Sequence, residues 1–531
     1  MFGFCIQAQT LIIQSSDNHS KYQRIEDFIV SSYELIDDFK KRHPQGDVVF
    51  FFNGDFSGAS KYTAKDFGNI GYELLERLAR QYTVLYTFGN HEAFDWIIQG
   101  VADDLFFRQL NRLHKAGVQL IAENILAKDR TQRLFVPHFD LQQVDGSILR
   151  FRGYALESLF DKVNSNEHQI KEILEIESYQ KAFLRIKEKK AKKAKSNKVV
   201  KYILGFHDSH SHIMKAIQEA PPVVKNLVTL AFSAHDHEVH KNIIGNTTII
   251  DSGSNFDFSA VELDKQGRLV SHLFLDNEKQ LEIVQRVRKS QNLPGYLKRY
   301  IAKLKRFKEQ PQFLTETNTL GLKIPIIRES KLTLKKQRSL VLGNSLADSV
   351  KEVADLILKD HELENIAGTI GFYNSSSYRL DGFLDKGMLS ASDIRDISPI
   401  VNHIFIYQMS GEQVQKFYAA FRAFRDSEGV YSPQLSGGFI ETEGYKIKSF
   451  TGRSGEVLKP NSQYLVAMDY FSGINGYNIP EHTEILSRAK LINKEFDQYD
   501  VLKKYLGKYL KLYTKRDQGC FSSALRVFMA R

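Results

Sequence analysis

At 531 residues the chain is too long for one hydrophobic core, so two or more domains are expected. Hydrophobic residues at 42% and charged residues at 26% argue against disorder as the main state. A formal charge of +10, from 73 Lys and Arg against 63 Asp and Glu, favours anionic ligands without requiring nucleic acid.

The opening MFGFCIQAQ is short and apolar and lacks a basic leader. Two readings stay open for it: the tail of a signal peptide that starts upstream, or a frayed first strand. Short apolar runs without helical periodicity then predict strands at Thr10–Gln14, Asp47–Phe52 and Val84–Phe88. Between them, Tyr22–Arg42 and Lys65–Tyr82 carry apolar residues at helical spacing, which gives the strand–helix alternation of an α/β layered domain. Further strands are expected at Gln119–Ala122, Leu149–Leu156, Val199–Gly205, Leu227–Phe232, Thr247–Asp251, Ala260–Asp264 and Leu269–Leu275. The Lys-rich run 187–198 is read as the solvated end of a helix rather than a nucleic-acid patch. From Asn277 to about Phe307 the pattern is helical and charged, and 308–335 shows no core face, so 277–335 is expected to be a connector. A second globular unit follows from Lys336, with a helix at Ser345–Leu358 and strands at Ile366–Tyr373 and Tyr464–Met468. The two cysteines, Cys5 and Cys520, have no partner at redox or metal-site spacing, and no apolar stretch approaches a membrane span.

Ligands of α/β domains bind at the carboxyl ends of strands, and five strands here end in metal-ligating residue types. Asp17-Asn18-His19 follows the first, Gly54-Asp55 the second and Gly89-Asn90-His91-Glu92 the third. His207, Asp208 and His210 follow the strand at 199–205, and His235-Asp236-His237 the strand at 227–232. Mixed oxygen and imidazole donors of this kind suit Zn, Mn, Fe or Co and argue against Ca or Mg alone.

This ordered set resembles the calcineurin-like metallophosphoesterase superfamily, and within it the 5′-nucleotidase branch, with GNHE as its most specific piece. The resemblance implies a four-layer α/β/β/α metallophosphoesterase domain over 8–276. A smaller α+β C-terminal nucleotide-binding domain over 336–528 would be joined to it by the helical connector 277–335. It also implies two divalent ions (Zn, Mn or Co). Asp17, His19 and His237 would hold one, Asn90, His207 and His235 the other, and Asp55 would bridge them. Two cations about 3.5–4 Å apart share a hydroxide, lower its pKa and clamp an in-line displacement at phosphorus. His91 would stabilise charge developing on oxygen, with Asp95 as its orienting partner. Asp95 stands four residues after His91 where the family pattern has three, and both spacings share a helix face. Ala234 replaces the glycine usual before the His-x-His.

In the second domain, Leu342–Asp348, Asn374–Arg379 and Gly473–Tyr477 resemble the family's nucleoside-binding loops. By that resemblance Lys336, Asn374, Arg379, Tyr431 and Phe471 would contact the substrate. Lys336 stands where an Arg is usual, and three serines replace glycines in the Arg379 loop. The expected activity is hydrolysis of a nucleoside 5′-monophosphate to nucleoside and phosphate. The alternatives are a 2′,3′-cyclic-nucleotide phosphodiesterase, a UDP-sugar hydrolase, or a non-catalytic nucleotide-binding protein. A small nucleotide, not a nucleic-acid polymer, is the expected partner, and the branch implies a periplasmic or extracellular location.

Overall fold

Period-2 alternation decides how the first half packs. The computed structural model describes, in its first part, residues 10–58, 68–92, 103–127, 135–143, 146–157, 174–192, 200–287 and 293–308. In its second part it describes 319–324, 341–360, 363, 365–374, 387–390, 394, 397–398, 403–428, 433–436, 438–443, 446–452, 457–469, 472–473 and 479–517. Contacts divide the chain into two compact units, 1–310 and 311–531.

The strands of the first unit are β1 (Thr10–Ser15), β2 (Asp47–Asn53), β3 (Thr83–Thr87), β4 (Gln119–Leu120), β5 (Ile125–Ala127), β6 (Phe139–Gln142) and β7 (Ile148–Tyr154). They continue with β8 (Leu174–Ile176), β9 (Val200–Phe206), β10 (Val228–Ser233), β11 (Val239–Ile244), β12 (Thr247–Ser252), β13 (Phe258–Leu263) and β14 (Leu269–Leu275). Twelve of them form two six-stranded sheets, in the orders β14-β13-β1-β2-β3-β4 and β11-β12-β10-β9-β7-β6, and β5 pairs with β8 in a separate two-stranded sheet. The central strands β1 to β4 run parallel, as do β7, β9, β10 and β12; β6, β11, β13 and β14 are antiparallel additions.

In β2, Val49 and Phe51 point to the space between the sheets, where they pack with Ile12, Leu85, Phe151, Ile203, Leu230 and Phe232. Phe50 and Phe52 point the other way, onto Phe28 of helix Ile25–Arg42. The second sheet repeats the device. Tyr202, Leu204 and Phe206 of β9 meet Tyr179, Phe183 and Ile186 of helix Tyr179–Lys192 and Ile213 and Ile217 of helix His210–Glu219. Helix, sheet, sheet, helix is the expected four-layer order.

Gly205 lies on the inter-sheet face of β9, where a Cβ would come within 2.2 Å of Phe51 Cζ. Gly205→Ala is therefore expected to destabilise the first unit by about 1–3 kcal/mol through overpacking. Denaturant unfolding checks this; an unchanged midpoint would show that Phe51 can give way.

Two helices from the stretch expected to connect domains, Asn277–Val287 and Gly295–Lys308, are part of the first unit. The second buries Leu297, Tyr300, Ile301 and Leu304, an i, i+3, i+4, i+7 stripe. Its Tyr300 hydroxyl donates to Ile70 O (2.9 Å), and Lys303 pairs with Glu73. The Lys run is helical through Lys192, and 193–198 lies outside the described residues, as does the opening 1–9.

The second unit has β15 (Thr319–Ile324), β16 (Ile366–Asn374), β17 (Gly387–Ser390), β18 (His403–Ser410), β19 (Pro433–Leu435), β20 (Gly438–Glu443), β21 (Lys446–Gly452), β22 (Gln463–Met468) and β23 (Lys490–Asp497). Its main sheet has the order β19-β16-β22-β18-β23. Ile404 and Ile406 of β18 pack with helices Val341–Asp360 and Gln498–Asp517, whereas Phe405 and Tyr407 pack with helices Gly411–Glu428 and Pro480–Arg488. Strand β15, from the stretch read as having no core face, pairs with β17. No helix among the described residues is long and apolar enough to cross a membrane.

Candidate metal centre

Each predicted metal-ligating residue follows the carboxyl end of a parallel strand: Asp17 and His19 after β1, Asp55 after β2, Asn90 after β3, His207 after β9, and His235 and His237 after β10. The loops after β1 and β2 run together. Asp17 N–H donates to Gly54 O (3.2 Å), His19 N–H to Asp55 O (2.9 Å) and Ser20 N–H to Phe56 O (3.2 Å). Asp17, His19, Asp55, His235 and His237 all have positive φ, between 45° and 74°, a conformation that side-chain-bearing residues rarely adopt. Concentrated on one constellation, such backbone points to a functional constraint rather than to loop irregularity.

Three groups of donor atoms converge, each within 4.8 Å: Asp17, His19 and His237; His19, Asp55 and His91; and Asp55, His207 and His235. Asp55 thus stands in two groups at once. In the first, His19 Nε2 and His237 Nε2 lie 3.0 Å apart, and Asp17 Oδ1 is 3.9 and 3.6 Å from them. That carboxylate oxygen is buried without a hydrogen-bond partner. Asp17 Oδ2, by contrast, accepts from His235 N–H at 2.9 Å, which ties the loop after β10 to the loop after β1.

At His207 the tautomer follows from its partner. Nδ1 is 2.9 Å from the carbonyl of Asn53, which can only accept, so Nδ1 carries a proton. Nε2 then faces Asp55 Oδ2 and Asn90 Oδ1, both at 3.1 Å. A neutral imidazole would turn a lone pair toward two further acceptors. Only a proton on Nε2 or a cation among the three removes the repulsion, and a backbone carbonyl behind a ligating histidine is a common way to orient it toward metal. Two carboxylates, neutral imidazoles and an amide oxygen fit a divalent transition ion at each end of Asp55.

The electrostatics express the same convergence. Burial would raise Asp55, but His207, His91 and His235 hold its carboxyl below the usual carboxylate range. Burial would lower His207, but Asp55 beside it raises it to about 10. Asp17 is pushed up to about 7 by burial, with His207 opposing and Asp55 adding. The site is closed on the protein side, where Asp17, His19, Asp55 and His207 are buried, and half-buried at Asn90, His235 and His237. Among the described residues, it is the latter side that is open to a ligand.

His91 is buried and sits edge-on to His19, with ring centroids 4.8 Å apart. Its backbone N–H donates to Asp55 Oδ1 at 2.7 Å. Gly89 allows this approach, since a Cβ there would come within 2.2 Å of Asp55 Oδ1. Gly89→Ala is therefore expected to displace Asp55 and lower turnover at least about 10-fold with every ligand retained, by analogy with the loss of an outer-shell partner. Metal content and phosphate release check this; unchanged values would show that the loop can shift.

Asp95, Lys336, Arg379, Tyr431 and Phe471 lie outside the described residues. Asn374 ends β16, and only its backbone is described. Two residues that the sequence reading gave no role are part of the site's support. Asn53 donates from Nδ2 to Phe206 O (2.8 Å) and so joins the ends of β2 and β9 across the two sheets. Glu92 accepts hydrogen bonds from backbone amides of two loops. The Asn-Gly-Asp turn and the last letter of GNHE were the available signals.

The family model for calcineurin-like phosphoesterases matches residues 10–239, and that for the 5′-nucleotidase C-terminal domain matches 322–482. Among solved structures, a 5′-nucleotidase precursor from Thermus thermophilus aligns with a TM-score of 0.65 at 14% identity over 94% of this chain and 96% of that one. A 5′-nucleotidase from Candida albicans aligns with a TM-score of 0.63 at 12% identity over 94% and 98%. At such identities the likeness is one of fold. Protein UshA from Yersinia enterocolitica is 25% identical over 129 residues, which is 24% of this chain and only 22% of that protein.

Proposed function

Because this chain belongs to the calcineurin-like phosphoesterases and carries a 5′-nucleotidase C-terminal domain, making it a dinuclear-metal phosphoesterase, we propose that it hydrolyses nucleoside 5′-monophosphates to nucleoside and phosphate. The observation that carries the reading is the sharing of Asp55 between two converging donor groups, in a chain that also holds the nucleotidase domain. In this reading Asp17, His19 and His237 hold one cation, Asn90, His207 and His235 the other, and Asp55 both. Two divalent ions held there would supply Lewis acidity toward water and a phosphoryl group.

The chain's own groups do the rest. His207 is locked in one tautomer by Asn53 O. Asp55 presents Oδ2 to the donors because His91 N–H holds Oδ1. The His91 imidazole stabilises charge developing on a phosphoryl or leaving-group oxygen, oriented by Asp95. Asn374, Arg379 and Lys336 bind the nucleotide's polar edges, and Tyr431 and Phe471 its base. A periplasmic or extracellular location goes with this reading by family resemblance alone.

The test is product release by metal-stripped protein reloaded with Mn, Zn, Co or Mg. It is read as inorganic phosphate from the monoesters, as the nucleoside monophosphate from UDP-glucose and the cyclic ester, and as p-nitrophenol from the aryl diester. The substrates are AMP, UMP, UDP-glucose, 2′,3′-cyclic AMP and bis-p-nitrophenyl phosphate, with His91→Ala as control. Metal-dependent release from AMP or UMP that collapses in the variant is expected. Preference for UDP-glucose or the cyclic ester would move the substrate assignment, and silence on all of them with two metals bound would overturn catalysis.

A further inference from the structure

We propose that Glu92 is a positioning residue whose carboxylate fixes the orientation of Asp55 toward both donor groups. Glu92 is fully buried, and its two oxygens accept three backbone N–H groups. Oε2 takes those of Asp55 (3.0 Å) and Gly89 (2.9 Å), and Oε1 takes that of Ser57 (3.1 Å). One side chain, carried by the loop after β3, thereby binds the loop after β2 on both sides of Phe56.

The bond is reciprocated. His91 N–H, one residue before Glu92, donates to Asp55 Oδ1. Asp55 is thus held at its amide by Glu92 and at its carboxylate by the residue next to Glu92. This two-point hold leaves Oδ2 as the atom that faces His207 Nε2. Left alone, the turn would not keep this shape, because Gly54 and Asp55 have φ of 83° and 49° in succession. The left-handed turn aims the Asp55 N–H inward, where without an acceptor it would be a buried orphan.

Only glutamate fits the position. Glutamine would put an NH2 group against an N–H, since the carboxylate uses both oxygens as acceptors. Aspartate is one methylene too short to reach all three donors. A residue acting only through its charge would instead be rescued by aspartate.

The inference rests on the metal-centre reading, so its test reads metal binding and not turnover alone. Wild type, Glu92→Gln and Glu92→Asp are stripped, titrated with Mn2+ by calorimetry, and inspected by EPR for the coupled di-manganese signal. Both variants are expected to bind Mn2+ about 10–100-fold more weakly, the usual loss for an outer partner of a ligand, and to lose the coupled signal. The metal-free unfolding midpoint of Glu92→Asp should fall, since each buried amide left without its acceptor destabilises the fold, with the variant still folded under the titration conditions. Should Glu92→Gln not fold, Glu92→Asp carries the test alone.

Wild-type affinity and coupling in either variant overturn the inference while leaving the metal centre intact. Full rescue by aspartate overturns it in favour of a charge role. Failure of the wild type itself to bind two Mn2+ overturns the metal-centre reading, and this inference with it.

Discussion

Replacing Asp55 with asparagine is expected to reduce bound metal from two ions per chain to one or none, and to lower turnover by about 10³-fold, about 4 kcal/mol of barrier. Asparagine keeps the shape, and its Oδ1 can still accept from His91 N–H, so the loop is retained. What changes is the atom 3.1 Å from His207 Nε2. An NH2 group there can donate to the imidazole but has no lone pair for a cation, and the negative charge facing both groups is gone. Because Asp55 belongs to two donor groups, one substitution weakens both, whereas His237→Ala removes a donor from only one. Elemental analysis after dialysis, with phosphate release, checks the result. Two ions per chain with turnover within about 10-fold of wild type would show that Asp55 is not shared.

The largest expected effect on stability lies away from the metal centre. Arg152 and Glu123 form an ion pair with side chains 2% and 1% exposed, and the guanidinium lies over the Tyr202 ring at 5.0 Å. Glu123 is touched by a second arginine, Arg185, whose Nη2 is 3.9 Å from Oε1 and donates to the Glu123 carbonyl at 2.6 Å. Arg152→Met is expected to cost about 3–5 kcal/mol, because it removes the close ion-pair partner of a buried carboxylate. The double variant Arg152→Met/Glu123→Leu should recover most of that loss, since it removes both desolvation penalties together. Denaturant unfolding followed by circular dichroism checks both variants. A loss below about 1 kcal/mol in the single variant would mean that Arg185 takes over the pairing.

The two cases differ in how visible they were in the sequence. The metal-site residues stand at the ends of apolar runs, in fixed local strings such as Asp-x-His and Gly-Asn-His-Glu. Their residue types, and the order of the strands that carry them, are local properties. So is the layer order, because Val49 and Phe51 alternate with Phe50 and Phe52 along a single strand. Helix Gly295–Lys308 carried its stripe of Leu297, Tyr300, Ile301 and Leu304 in plain view, but its charge density concealed that this face packs into the first unit.

Arg152 and Glu123 are 29 residues apart, and nothing in either neighbourhood marks them as partners. The same holds for the bond from Asn53 to Phe206 O, 153 residues away, which joins two sheets. The sequence by itself determined which residue types reach the strand ends and which side of each strand is apolar, because both depend on spacings of a few residues. Only the tertiary structure decided that His91 N–H holds Asp55 Oδ1, that His207 keeps its proton on Nδ1, and that Glu92 answers three backbone amides. Those facts depend on atoms that chain closure brings within about 3 Å, and hydrogen-bond direction at that range is not encoded in any local string.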